Sequence, residues 1–334
     1  MNLEEIKYCP GTLAEGNNTY SRACLRRVFH NKSVSHILPY NSPQSDEDDD
    51  SKFVDNRKRI SISGVQEKMS LILDKNKLRL TDEGEQGNYI LKPIPRDLKK
   101  VGQVPANEHL TMQIAQQVFG IYTAENALIF FKDGKPAYIT KRFDIKDDGT
   151  KLGKEDFASL AGKTEENAGA NFKYDSSYEE MAELLKKFVP AYKIEVERLY
   201  RLIVFNYLFS NGDAHLKNFS LLESPNGDYL LSPAYDLVTS RIHTNDPTFG
   251  VDRGLFKDDF KSAAYKRNGY PGIKDFIELA KRMEIMDTRI NKILGPFLQR
   301  QDFVQELVNR SFLNDQTKKA YLLSYNERRN YLNN

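Results

Sequence analysis

Asp213, Asn218 and Asp236 are the residues of this 334-residue chain whose types and spacing best fit a chemistry. The first two stand in Asn211-Gly212-Asp213-Ala214-His215-Leu216-Lys217-Asn218, the third in Ser232-Pro233-Ala234-Tyr235-Asp236. Moving the γ-phosphoryl group of ATP to a hydroxyl asks a protein mainly for positioning and charge neutralisation. One carboxylate must orient the attacking hydroxyl, while an amide oxygen and a second carboxylate hold Mg²⁺ against the phosphates. Taken singly, Asp213 and Asn218 read as turn formers and Asp236 as a cap. Three in this order read as a phosphotransfer centre.

The flanking elements place these residues at element ends, where reactive groups belong. Helical apolar spacing from Glu195 to Phe209 stops at Ser210-Asn211-Gly212, with Gly212 as the expected C-cap. Phe219–Leu222 and Tyr229–Leu231 flank an Asn226-Gly227 hairpin turn. A phosphate-binding loop and a lysine must come from elsewhere. Ile60–Leu73 reads as strand, serine-rich turn and strand, and a turn of small residues brings backbone N–H groups close to phosphate oxygens. Lys92 ends the apolar strand of Tyr89-Ile90-Leu91, either as a phosphate ligand or as an exposed strand end. Glu108 lies in the first turn of a helix opening at Pro105, whose apolar positions Leu110, Ile114, Val118 and Phe119 share a face and which Gly120 closes. Glu108 either pairs with Lys92 or simply favours the helix N-terminus; the sequence leaves both open.

Protein kinases place the base Asp five positions before the metal-binding Asn, with a further Asp on a later strand. Four separated segments extend that likeness: Ser61-Ile62-Ser63-Gly64-Val65-Gln66-Glu67-Lys68, Tyr89-Ile90-Leu91-Lys92-Pro93, Lys141-Arg142-Phe143-Asp144, and Asn211 to Ser220 with Tyr235-Asp236. Through them the chain resembles the HipA family of bacterial serine/threonine kinases, the toxins of toxin–antitoxin modules. The resemblance implies Asp213 as catalytic base, Asn218 and Asp236 as Mg²⁺ ligands, and Lys92 on the ATP phosphates with Ser63, Gly64, Val65, Gln66 and Lys68. His215 would lie beside the nucleotide, Arg142 and Phe143 would form the hinge that reads adenine, and Glu108 and Lys217 would support the site. Ser61 and Ser63 would be autophosphorylated, expelling their loop; a phosphoserine adds roughly two negative charges where ATP phosphates must bind. Ala214 and Gly212 depart from the family's usual Gly and Thr without removing a ligand. Ser61 arrives too early to leave room for the extra N-terminal subdomain of long HipA toxins. The chain therefore resembles the short form, HipT, of three-gene systems. Expected partners are a HipB-like DNA-binding antitoxin, a small HipS-like protein supplying the missing subdomain, and an aminoacyl-tRNA synthetase as substrate.

The implied fold is α+β and protein-kinase-like: a small, mainly β N-lobe with one helix over 1–143, and a larger helical C-lobe over 144–334. Within it, residues 1–40 would pack on the small lobe, and 41–56, with its Asp/Glu run, would be a linker. Residues 152–175 read as a loop-rich insertion concerned with specificity or activation. Tyr178–Phe188, Asp275–Arg282 and Asp302–Val308 have helical spacing. A formal net charge of +2 provides no basic stripe for direct nucleic-acid binding. Two cysteines and no secretory signal over Met1–Lys7 point to a reducing cytoplasm, and no apolar run is long enough for a membrane span. The sequence thus predicts a cytoplasmic, ATP- and Mg²⁺-dependent serine/threonine protein kinase. Two alternatives stay open: a kinase-like subunit that uses nucleotide to hold an antitoxin, and a small-molecule or lipid kinase, whose catalytic loop is also similar to Asp-x-His-x-x-Asn.

Overall fold

Side-chain alternation builds the sheet that carries Lys92. The computed structural model describes residues 6–43, 67–95, 98–146 and 148–334, and its chain divides into two units. The first comprises Met1–Ile114, Ala124–Lys151 and Val304–Lys318. It contains α1 (Arg22–Phe29), β1 (Met69–Asp74), β2 (Lys77–Leu80), β3 (Tyr89–Lys92), most of α2 (Val104–Gln117), β4 (Asn126–Phe130) and β5 (Pro136–Lys141). The five strands form an antiparallel sheet in the order β2-β1-β3-β5-β4. Tyr89 and Leu91 of β3 join Met69, Leu71, Ala127, Ile129, Ala137 and Ile139 in one core. With a period of two, Lys92 then leaves the opposite face.

The N-terminal segment covers that core, as its apolar runs predict. Ser21 caps α1 by accepting from the Cys24 N–H, and Cys24, Val28 and Phe29 bury their side chains in the sheet's core. The Tyr20 and Tyr89 hydroxyls donate to the carbonyls of Leu128 and Val28, each at 2.7 Å, fastening helix to sheet. Ile37 bridges Phe130 in parallel and so covers the edge of β4. Cys9 and Cys24 are both buried, free thiols.

Helix α2 departs from the one-faced pattern. Residues 104–115 are buried all round, polar positions included, so each polar group needs a protein partner. The Thr111 hydroxyl donates to the Asn107 carbonyl at 2.9 Å, the Gln113 amide to Asn126 Oδ1 at 3.0 Å, and His109 Nε2–H to the Gly11 carbonyl at 3.2 Å.

The second unit comprises Ala115–Thr123, Leu152–Phe303 and Lys319–Asn334. In it β6 (Lys154–Asp156) is followed by two single-turn helices, α3 (Phe157–Leu160) and α4 (Glu165–Ala168), inside the stretch expected to be loop. Helices α5 (Tyr178–Phe188) and α6 (Tyr192–Leu208) pack together, α5 starting in a capping box of Ser177 and Glu180. The predicted hairpin is β7 (Ser220–Glu223) with β8 (Tyr229–Leu231), turning at Gly227 with φ 83°, and β6 adds a third antiparallel strand. Then follow α7 (Ala263–Asn268), α8 (Ile273–Arg282), α9 (Asp287–Leu298), α10 (Asp302–Arg310) and α11 (Asp315–Leu332), the last two contributing residues to both units. Aromatic rings fill the core around α6: Phe205 stacks on Phe209 at 4.5 Å, Phe119 on Phe297 at 4.7 Å, and Phe209 on Tyr325 at 5.2 Å. Among the described residues no helix is long and apolar enough to cross a membrane.

Candidate active site

The end of α6 aims the Asp213 loop. Ser210, with φ 51°, takes the left-handed position, the Asn211 N–H reaches back to the Asn206 carbonyl at 2.9 Å, and the Ser210 N–H to Tyr207 at 3.2 Å. This pair of bonds is a Schellman motif. The cap is therefore Ser210 and not Gly212, which correction gives the glycine another purpose. A Cβ at Gly212 would lie under 3.0 Å from the Pro247 carbonyl and Asp246 Cβ, so the loop is pressed against the 246–250 segment. Gly250 presses likewise on the backbone of Ala214.

A buried polar hub holds this junction. The Gly212 N–H donates to Ser240 Oγ at 3.0 Å, and the Ser240 hydroxyl to the Ser210 carbonyl at 3.3 Å. Ser210 Oγ bonds Ser324 Oγ at 2.9 Å and accepts from Arg328 Nε at 3.2 Å. Arg328 is buried, its guanidinium over the rings of Tyr207 and Tyr331 at 5.1 and 6.0 Å. Sequence reasoning missed Ser240, Ser324 and Arg328, because nothing in their neighbourhoods distinguishes them from solvated residues.

Asp213 itself is half open, its side chain 47 % exposed. Burial of the remainder pushes its carboxyl above the ordinary carboxylate range, as do the charges of Asp246 and Asp236, while Lys173 and the Tyr174 hydroxyl act the other way. That hydroxyl donates to Asp213 Oδ1 at 3.0 Å. His215 is buried, with Nε2 3.7 Å from the same oxygen. Burial first, and Lys173 second, depress the imidazole to about 3, so it is neutral at physiological pH. Its Nδ1 is buried and has no hydrogen-bond partner among the described residues.

Leu216–Asn218 is one 3₁₀ turn, and Asn218 Oδ1 accepts from the His215 N–H at 3.2 Å. Lys217 is exposed, its ammonium 5.8 Å from the centre of the Phe172 ring. Asp236 adopts φ 56°, the left-handed region that Asp tolerates better than most side chains. The residues before it are anchored: the Ala234 N–H donates to the Tyr122 carbonyl at 2.9 Å, and the Tyr235 hydroxyl to the Lys217 carbonyl at 2.9 Å. Among the described residues no three His, Cys, Asp or Glu side chains form an all-protein metal cage. One amide and one carboxylate fit Mg²⁺, which keeps waters and phosphates in most of its shell. Asn218 Oδ1 keeps a second lone pair for that purpose.

The remaining residues named from the sequence lie in the first unit. Lys92 Nζ meets Glu108 Oε1 at 2.7 Å with both side chains 5 % exposed, and lies 5.4 Å over the Tyr138 ring, its cross-strand neighbour. Of the two readings of Glu108, the structure thus shows the ion pair. Arg142 makes a fork with Asp144, at 3.0 and 2.7 Å, and its N–H donates to the Asn88 carbonyl at 2.9 Å; Phe143 follows in a turn. Lys68 is exposed just before β1. Ser61, Ser63, Gly64, Val65 and Gln66 lie outside the described residues, as do Arg57-Lys58-Arg59 and most of the 41–56 stretch.

The chain is similar to known kinases in sequence and fold. Over its whole length the chain is 25 % identical to a Haemophilus influenzae protein named "Putative kinase", covering 98 % of that protein. It is 27 % identical over 204 residues to the serine/threonine-protein kinase toxin HipA of Shewanella oneidensis, a match spanning 55 % of this chain and 44 % of the toxin. Among solved structures it matches that organism's HipA, HipB and operator DNA complex with a TM-score of 0.62 at 18 % identity, covering 80 % of this chain and 63 % of the other. This likeness supports the two-lobed, kinase-like α+β class. The family model described as the HipA-like C-terminal domain matches residues 60–303, and the chain belongs to that family of HipA-like kinases.

Proposed function

We propose that this chain is a serine/threonine protein kinase that uses ATP with Mg²⁺ and acts as the toxin of a bacterial toxin–antitoxin module. The observation that carries the reading is the Asp213 loop. A half-open carboxylate of raised proton affinity stands five positions before an amide oxygen already turned to the loop's interior. Asp213 would accept the hydrogen bond of an acceptor hydroxyl, orienting it towards the γ-phosphorus. As the oxygen–phosphorus bond forms and the bond to the departing ADP breaks, the hydroxyl proton passes to Asp213. Asn218 and Asp236 would hold Mg²⁺, which when bound neutralises charge on the phosphates. Lys92, oriented by Glu108, would bind the phosphates with the 63–68 segment; the unpartnered Nδ1 of neutral His215 suits a nucleotide hydroxyl or N–H.

Control would lie in Ser61 and Ser63, whose phosphorylation adds charge that opposes ATP phosphates. The pair Ser61 and Ser63 has the spacing of the two serines in the HipT-like form of the family, and the proposal of that form rests on it. A HipB-like antitoxin and a HipS-like companion are then the partners, an aminoacyl-tRNA synthetase the acceptor, and the cytoplasm the compartment. Incubation of a bacterial lysate with γ-labelled ATP, Mg²⁺ and the protein should label one acceptor and a peptide containing Ser61 or Ser63, and Asp213→Asn should abolish both signals. Undiminished labelling by that variant would remove Asp213 from the role of base.

A further inference from the structure

Asp213 must do more than be ionised: one oxygen has to point at the acceptor. We propose that Tyr174 is the positioning residue that orients it, an inference resting on the assignment of Asp213 above. The Tyr174 hydroxyl donates to Oδ1 at 3.0 Å. Among the described residues Oδ2 has no hydrogen bond, and the side chain is 47 % exposed. Tying Oδ1 back stops the carboxylate from rotating and leaves Oδ2 for the acceptor hydroxyl.

Tyr174 can do this because its own segment is held by backbone bonds from two sides. The Leu216 N–H donates to the Lys173 carbonyl at 3.0 Å, joining the tyrosine's segment to the catalytic turn. On the other side the Asp252 N–H donates to the Tyr174 carbonyl at 2.8 Å, and the Arg253 N–H to the Ser176 carbonyl at 3.1 Å. Arg253 also pairs with Asp175 at 2.7 Å and Glu180 at 2.6 Å, while Lys163 pairs with Asp175 at 2.6 Å. The Tyr174 ring stands edge-on to His215 at 5.2 Å, which fixes the direction of the hydroxyl. Three chain segments therefore meet at Tyr174: the end of the 152–175 stretch, the Asp213 loop, and the segment following Asp236. Misplacement of a reacting group by about 1 Å can cost about a hundred-fold in rate.

Tyr174→Phe is the test, since it retains the ring against His215 and removes only the hydroxyl. ADP formation from ATP with casein present counts transfer to protein and to water together. The variant should lose about ten-fold or more in kcat, the scale of a charge-assisted hydrogen bond, with KM for ATP unchanged. Unchanged kcat overturns the proposal. So does a rise in kcat, which would show the hydroxyl to be a competitor in the acceptor's seat. Asp213→Asn run alongside separates the two readings. If it abolishes turnover while Tyr174→Phe does not, only the tyrosine's role falls; if it turns over normally, the assignment of Asp213 falls and this inference with it.

Discussion

Removing one member of the Lys92–Glu108 pair should harm the first unit far more than removing both. Each side chain is 5 % exposed, so removing either partner takes the opposite charge from a group that water solvates poorly. Lys92→Met takes the ammonium from the Glu108 carboxylate and should destabilise by about 3–5 kcal/mol, the range for breaking buried ion pairs. Glu108→Leu should cost less, about 2–3 kcal/mol, because the ammonium retains the Tyr138 ring 5.4 Å away. In the double variant both desolvation costs vanish with the attraction, and replacing such pairs by apolar residues is often nearly neutral, within about 1 kcal/mol. The cycle therefore has a coupling of roughly 4–9 kcal/mol, larger than for most contacting pairs. Urea titration reads it directly: at an m-value of about 2 kcal/mol/M the Lys92→Met midpoint falls by roughly 2 M while that of the double variant hardly moves. Additive losses would show that the two charges do not neutralise each other, and a loss in Lys92→Met below about 1 kcal/mol would be that of a solvated surface pair.

His109 makes the first unit sensitive to acid. Burial holds its imidazole at about 4, below the value of about 6.5 it has unfolded. The unfolded chain thus binds the extra proton first as pH falls. The stability is intact above pH 6.5 and is lost progressively down to pH 4. The loss is about 3 kcal/mol relative to His109→Gln, as measured by urea midpoints across that range. Gly250→Ala, whose Cβ would meet the Ala214 backbone, should destabilise the second unit by about 1–3 kcal/mol by overpacking. Amide exchange should quicken in residues 211–218, with no change at α2.

What the sequence disclosed and what it withheld divide along a physical line. The Asp213, Asn218 and Asp236 pattern stood out because the proposed phosphoryl transfer tolerates few residue types, and two of them must stand at a short, fixed spacing on one loop. Strand β3, helix α5 and the β7–β8 hairpin were legible for a similar reason, their periodicity and turn residues being local. Helix α11 was not, since its mixture of charges and tyrosines reads as solvated until Arg328 is seen on Tyr207 and Ser210. Nor was the left-handed residue after α6, because a nearby glycine seemed the cheaper cap while the buried hub around Ser210 holds a serine there. The short β6 pairs only with a strand far along the chain, so the 152–175 stretch read as loop. The same limit applies to Tyr174, an unremarkable residue in an irregular stretch until its hydroxyl meets Asp213. Groups that react are restricted in kind and so leave a mark in the sequence. Groups that orient them are restricted in place, by contacts from distant segments, and a tyrosine, a serine or an arginine can serve equally. A reading of motifs alone therefore nominates a reacting oxygen and misses its direction, which would govern whether an acceptor hydroxyl attacks the phosphorus at a useful rate.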